Sequence, residues 1–140
     1  MVKLIVGHKG TGKTKMMIDL ANDCVEKCNG SVVFINTDQR LTYDLKHKIR
    51  VICMEEYPHI TNCDEYIGFL YGIASQDHDI EVIFIDSILK HADFEIPDLA
   101  EFVTRLKEIS KDHNLDFVVS ISADKDQLGH IDLEGCEVLN

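Results

Sequence analysis

Five short, almost unbroken apolar runs, separated by longer segments of helical period, constrain this chain more than any other feature. The runs are Lys3 to Val6, Ser31 to Asn36, Arg50 to Met54, Glu81 to Asp86 and Asp116 to Ile121. A strand with one wet face alternates apolar and polar residues, whereas a strand covered on both faces reads as continuous Val, Ile, Leu and Phe. Parallel neighbours cannot be joined by a tight turn and need crossovers of a dozen residues or more. The pattern therefore predicts an α/β three-layer sandwich, a mainly parallel five-stranded sheet with helices on both faces, linked by right-handed connections.

The intervening segments carry helix signals. Met16, Met17, Leu20, Ala21, Cys24, Val25 and Cys28 recur at helical spacing, which predicts a helix from about Lys13 to Cys28, ended by Asn29-Gly30. Asn62 followed by Glu65 is a capping-box pattern, opening a second helix that carries Tyr66, Leu70, Tyr71 and Ala74. A third opens near Pro97, buries Leu99, Phe102, Val103, Leu106 and Ile109, and stops at Asn114. Thr37 to Lys48 is polar with scattered apolar positions, and Asp124 to Asn140 has no clear period. With 140 residues, no repeat and no linker, residues 1–140 read as one domain, long enough to remove roughly two-thirds of its unfolded surface from water.

Between the first apolar run and the first helical segment lies Gly7-His8-Lys9-Gly10-Thr11-Gly12-Lys13-Thr14. It matches the Walker A pattern G-x-x-x-x-G-K-[ST] in the strand-to-helix context the pattern requires. Glycines let the backbone wrap a phosphate closely, where a Cβ would intrude, and present amide hydrogens inward. The helix starting here adds unsatisfied amides and the positive end of its dipole. A glycine-rich turn that merely caps a helix needs neither Lys13 nor Thr14. The expected phosphate-binding residues are thus Gly7, His8, Lys9, Gly10, Thr11, Gly12, Lys13, Thr14 and Lys15, with Lys13 reaching the β- and γ-phosphates and Thr14 ligating Mg²⁺. Val82-Ile83-Phe84-Ile85-Asp86, four apolar residues and a carboxylate at a strand's C-terminal end, is a Walker B candidate. Ligands of open α/β sheets bind at that edge, and Asp86 there would hold the magnesium through its water shell. ATP and Mg²⁺ are the expected cofactors.

With both motifs placed, the order of elements resembles RecA- and KaiC-like ATPase cores over about 120 residues. The Asp86-Ser87-Ile88 step is similar to the Asp-Ser step after Walker B in those families. The resemblance implies that the strand of Ser120 lies between the strand leading to the loop and the strand of Asp86. The chain also looks like small bacterial ATP-binding proteins labelled PilT-like, although no secretion-ATPase domain is read beyond the core. Departures from the pattern bear on catalysis. Many hydrolytic relatives carry glutamate directly after the Walker B aspartate, where this chain has Ser87. RecA-like enzymes use a glutamate after the second strand, where this chain reads Asn36-Thr37-Asp38-Gln39-Arg40. Asp38 is the candidate water-orienting base, against an ordinary loop-capping role, with Glu55 and Glu56 as alternatives. Lys13 and Asp38 are the candidate catalytic residues. Ser120 and Ser122 are candidate γ-phosphate sensors or hydroxyls satisfied by backbone. Arg40, Arg50 and Arg105 are candidate transition-state cations, a role that a neighbouring subunit could equally fill.

A formal charge of -11 would repel a nucleic-acid backbone and disfavours DNA or RNA as partner. No apolar run approaches the twenty or so residues that cross a bilayer, and no secretion signal is read, so a cytoplasmic protein is expected. Five cysteines without a Cys-x-x-Cys pair read as reduced thiols, with Cys24 and Cys28 four apart on one helix as a weaker metal pair. The seven histidines show no ligand spacing. The leading functional expectation is a slow or partner-activated ATPase, with a protein partner or second copy completing the site. The alternative is a non-hydrolysing switch or scaffold that moves Thr37 to Lys48 to engage a partner. A small-molecule kinase would need an acceptor pocket between residues 37 and 60 or near the C-terminus, and no lid or acceptor domain is read.

Overall fold

A computed structural model describes residues 1–40 and 42–140. Its strands are β1 (Val2–Gly7), β2 (Ser31–Asn36), β3 (Arg50–Cys53), β4 (Ile80–Ile85), β5 (Asp116–Ser122) and β6 (Cys136–Val138). Its helices are α1 (Lys13–Lys27), α2 (Cys63–Gln76) and α3 (Leu99–His113). The strand order is β3-β2-β4-β5-β1-β6, and every neighbouring pair is parallel. β5 lies between β1 and β4, in the order that the resemblance implied.

Alternate residues of the strands supply two cores. Ile5, Val32, Phe34, Phe84 and Val118 face Met17, Ile18, Ala21 and Val25 of α1, with the Phe34 and Phe84 rings stacked 5.9 Å apart. Leu4, Val6, Val33, Ile35, Ile83, Ile85 and Val119 pack on the other side against Tyr66, Ile67 and Leu70 of α2 and Phe102, Val103 and Leu106 of α3. Burying both faces of the sheet is what requires the continuous apolar runs, and each fully buried Phe or Leu contributes about 1.5–3 kcal/mol. The five strands read from the sequence stand within a residue or two of their expected bounds.

The expected five-stranded sheet has six strands. The sixth, β6, holds only three residues and runs along the outer edge of β1, with Val2, Lys3 and Leu4 opposite Cys136, Glu137 and Val138. Three residues on a half-exposed edge are too few to show a period. Two helix signals also act differently from expectation. The end of α1 is an extended Cys28, not a left-handed glycine. Gly30 is needed for another reason, since a Cβ there would lie 2.1 Å from the Asp79 carbonyl oxygen. At α2 the Asn62 side chain accepts from the Glu65 amide (2.9 Å), but Glu65 reaches back to the amide and hydroxyl of Thr61 (2.8 Å each), one residue before the cap. Asn114 stops α3 in the left-handed region as expected (φ 52°). Tyr71, expected in the core, is exposed beside His113. Among the described residues, no helix is long and apolar enough to cross a membrane.

Candidate phosphate and metal site

The glycine-rich loop leaves the C-terminal end of β1 and turns into α1. Gly10 (φ 86°) and Gly12 (φ 84°) occupy the left-handed region, which other residues adopt only under strain. At Gly7 the space is tight, since a Cβ would lie 2.9 Å from Thr11 Oγ1 and the threonine side chain would have to turn away. The loop is folded around one carbonyl, that of His8. It accepts from the Thr11 amide (3.3 Å), the Thr11 hydroxyl (2.7 Å) and Lys13 Nζ (2.6 Å).

Lys13 is buried, at 7% exposure. Burial lowers its pKa, the Asp86 carboxylate opposes that effect, and the Lys90 ammonium adds to it. An ammonium held there with a single carbonyl partner is poorly compensated for lost hydration, so an anion at this point of the loop gains from it. Lys9 is exposed. Lys15 turns its ammonium along the helix to Asp19 (2.9 Å), so what it can offer the loop is its main-chain amide in the first turn of α1. The His8 imidazole pairs with Asp124 in the segment after β5.

Asp86 lies directly after β4 and is 2% exposed. Its two carboxylate oxygens are each held by a hydroxyl. Thr14 Oγ1 donates to Oδ2 (3.0 Å) and Ser120 Oγ donates to Oδ1 (2.6 Å). Ser120 in turn accepts from the Ser87 amide (2.7 Å), and the Asp86 amide donates to the Ile35 carbonyl (3.0 Å), so β2, β4 and β5 all fix the carboxylate. A buried carboxylate needs such partners to stay charged. The expected metal pair, Thr14 and Asp86, is thus brought together from positions 72 residues apart. Hard oxygen donors of this kind suit Mg²⁺, which is usually held by one or two protein oxygens together with phosphates and water. Among the described residues, no group of three or more His, Cys, Asp and Glu could hold a metal ion. Cys24 and Cys28 are free thiols with sulfurs 3.2 Å apart. The Cys28 thiol is pushed up to about 12, by burial first and then by Cys24 and Glu81.

A cleft of about 300 Å³ opens beside this pair, lined by Thr14, Asn36, Thr37, Asp38, Arg40, Asp86, Ser87 and Lys90. Asp38 therefore stands in the same cleft as Asp86. Its carboxylate is engaged by Arg40, accepting from the main-chain amide (2.9 Å), Nε (2.8 Å) and Nη2 (2.6 Å). These Arg40 hydrogen bonds hold its pKa below the usual range. This is the loop-capping arrangement of an aspartate, and Arg40 spends its charge there. Arg50 pairs with Asp77, and Arg105 with Glu101 and Glu108. Glu56 pairs with Gln39.

Sequence reasoning missed Lys90, Asn36 and His91. Lys90 follows a bend that no periodicity reveals: Ser87 is left-handed (φ 59°), and the chain then makes a 3-10 turn at Ile88–Lys90. His91 is fully buried, its Nδ1 2.8 Å from the Tyr66 hydroxyl, inside a cluster with Phe94 and Phe102. Burial pushes its imidazole down to about 4, with a smaller opposing effect from the Asp86 main chain. A folded pKa below the ordinary 6.5 means that the unfolded chain binds the proton more tightly. His91 stability is therefore full above about pH 6.5 and lost as pH falls toward 4, by about 2 kcal/mol at pH 5. Urea melts at pH 7 and pH 5 check this. The wild-type protein is expected to lose more stability than His91→Gln across that interval, and equal losses would refute the assignment.

No protein-family model and no curated protein sequence matches the chain.

Proposed function

We propose that this chain is a P-loop nucleotide-binding protein with a RecA/KaiC-like core, which binds ATP with Mg²⁺ and hydrolyses it slowly or only when a partner completes the site. One observation carries the reading. The hydroxyl of Thr14, at the start of the helix that follows the glycine-rich loop, meets the buried carboxylate of Asp86 at the end of β4. A loop that merely capped a helix would have no use for that contact. In this reading the amides of Gly10 to Thr14 and the Lys13 ammonium hold the phosphates, while Thr14 and Asp86 hold the metal, which would neutralise charge on the transferred phosphate. The strand order and the parallel sheet are compatible with such a core.

The weak hydrolysis rests on Asp38 and Ser87. Asp38 is occupied by Arg40, and Ser87 lacks a carboxylate to orient water. A switch or scaffold that binds ATP without hydrolysing it shares every binding residue. Phosphate release from Mg²⁺-ATP separates the two. Slow turnover that disappears in Asp38→Asn supports an ATPase using that carboxylate. Bound ATP with no phosphate released, even at concentrations where the protein self-associates, favours the switch and removes the ATPase.

A further inference from the structure

The cleft beside Asp86 is lined by hydrogen-bond donors that have nothing to donate to. Asn36 is buried, at 5% exposure, and its Oδ1 accepts from the Thr37 amide (2.8 Å), which leaves Nδ2 as the free end of the side chain. Among the described residues, neither Asn36 Nδ2 nor the buried Thr37 hydroxyl has a hydrogen-bond partner. Leaving a buried donor unpaired is costly, and in native proteins such groups are few and call for a cause. Lys90 lines the same cleft and brings a positive charge to it. Among the described residues it forms no ion pair, whereas Arg40, Arg50 and Arg105 each do.

The position of Lys90 is built rather than incidental. Ser87 bends the chain, the Lys90 amide donates to the Ser87 carbonyl (2.9 Å), and the flanking Ile88 and His91 are both fully buried. The backbone that carries Lys90 is thereby pinned to the core on both sides. The Lys90 ammonium is close enough to Lys13 to disfavour its charge, an effect that the Asp86 carboxylate opposes. Asp38, the remaining carboxylate of the cleft besides Asp86, is neutralised by Arg40. Two unpartnered donors and an unpaired ammonium, on residues lining one cleft, suit an oxyanion, which offers several acceptor oxygens. The cleft is continuous with Thr14 and Asp86, so an anion in it adjoins the metal pair.

We propose that Asn36, Thr37 and Lys90 form a subsite for the terminal phosphate of the nucleotide, so that the protein distinguishes a triphosphate from a diphosphate. The proposal rests on the nucleotide-binding reading above and adds to it the residues that read the third phosphate. In that reading Lys13 of the glycine-rich loop also reaches the terminal phosphate, and Asn36, Thr37 and Lys90 are additional to it.

Calorimetric titration of the full chain with ATP, with ADP, and with ADP in excess inorganic phosphate, all with Mg²⁺, tests it. Wild-type protein is expected to bind ATP at least about 10-fold more tightly than ADP, the effect of one charge-assisted hydrogen bond. Lys90→Met and Asn36→Ala should each reduce that ratio to about threefold or less while ADP affinity stays within about twofold. Lys90 is exposed, so Lys90→Met keeps the test valid if Asn36→Ala fails to fold. Phosphate that tightens ADP binding in the wild type but not in Lys90→Met would show the same subsite holding a detached phosphate, and supports the proposal. An unchanged ATP/ADP ratio in Lys90→Met, equal loss of both nucleotides, or equal wild-type affinity for both overturns the subsite and leaves nucleotide binding intact. Failure of the wild type to bind either nucleotide overturns both readings.

Discussion

Lys13→Met is expected to weaken ATP binding by about 100-fold or more, the loss of roughly two charge-assisted hydrogen bonds to phosphate. The same change should leave the fold as stable as before or slightly more so. In the structure Lys13 is buried with one carbonyl partner, His8, and burial lowers its pKa. Methionine keeps most of the apolar stem and removes a poorly compensated charge. Thermal melts and calorimetry on the same preparation check both halves. Lost binding with an unchanged melting temperature assigns Lys13 to the phosphates. Lost binding together with a large fall in melting temperature would make it a structural residue of the loop.

Asp86→Asn is expected to remove most of the dependence of ATP binding on Mg²⁺, while binding measured without the metal changes little. The amide nearly matches the carboxylate in shape and can still accept from Thr14 or Ser120, but it carries no charge for a cation. It also brings an NH₂ group to a place where two hydroxyls donate, so one of those bonds is lost and stability should fall by about 1–3 kcal/mol. Titrations with and without Mg²⁺ read the first effect and urea melts the second. A variant that keeps the full magnesium enhancement would place the metal elsewhere.

The glycine-rich turn and the strand ending at Asp86 were legible because each is compact in sequence and its context is local. A strand, a glycine-rich turn and a helix follow one another from Val2 to Lys27, with the glycines at 10 and 12 in the left-handed region. The buried strands were legible because a sheet covered on both faces admits only apolar residues. What escaped reading depends on contacts distant in sequence. Ser120 was read as a γ-phosphate sensor or a hydroxyl satisfied by backbone, and its bond to Asp86 is visible only once β5 lies beside β4. His91 looked like one more loop histidine until Tyr66 of α2 met it in the core. Lys90 is carried by a left-handed serine, a conformation that nothing in the surrounding residues announces. Gly30 was assigned to the end of a helix, while the physical demand is the close approach of the Asp79 carbonyl, from a turn 49 residues further on. Asp38 was read with two roles open. The ion pair with Arg40, two residues away, favours the capping role.

Calorimetric titration of the wild-type protein with ATP, with and without Mg²⁺, tests the central claim most directly. A single site per chain that tightens when Mg²⁺ is added is the expected result. Absence of heat and of any bound ATP in both conditions, from protein that melts cooperatively, would contradict it.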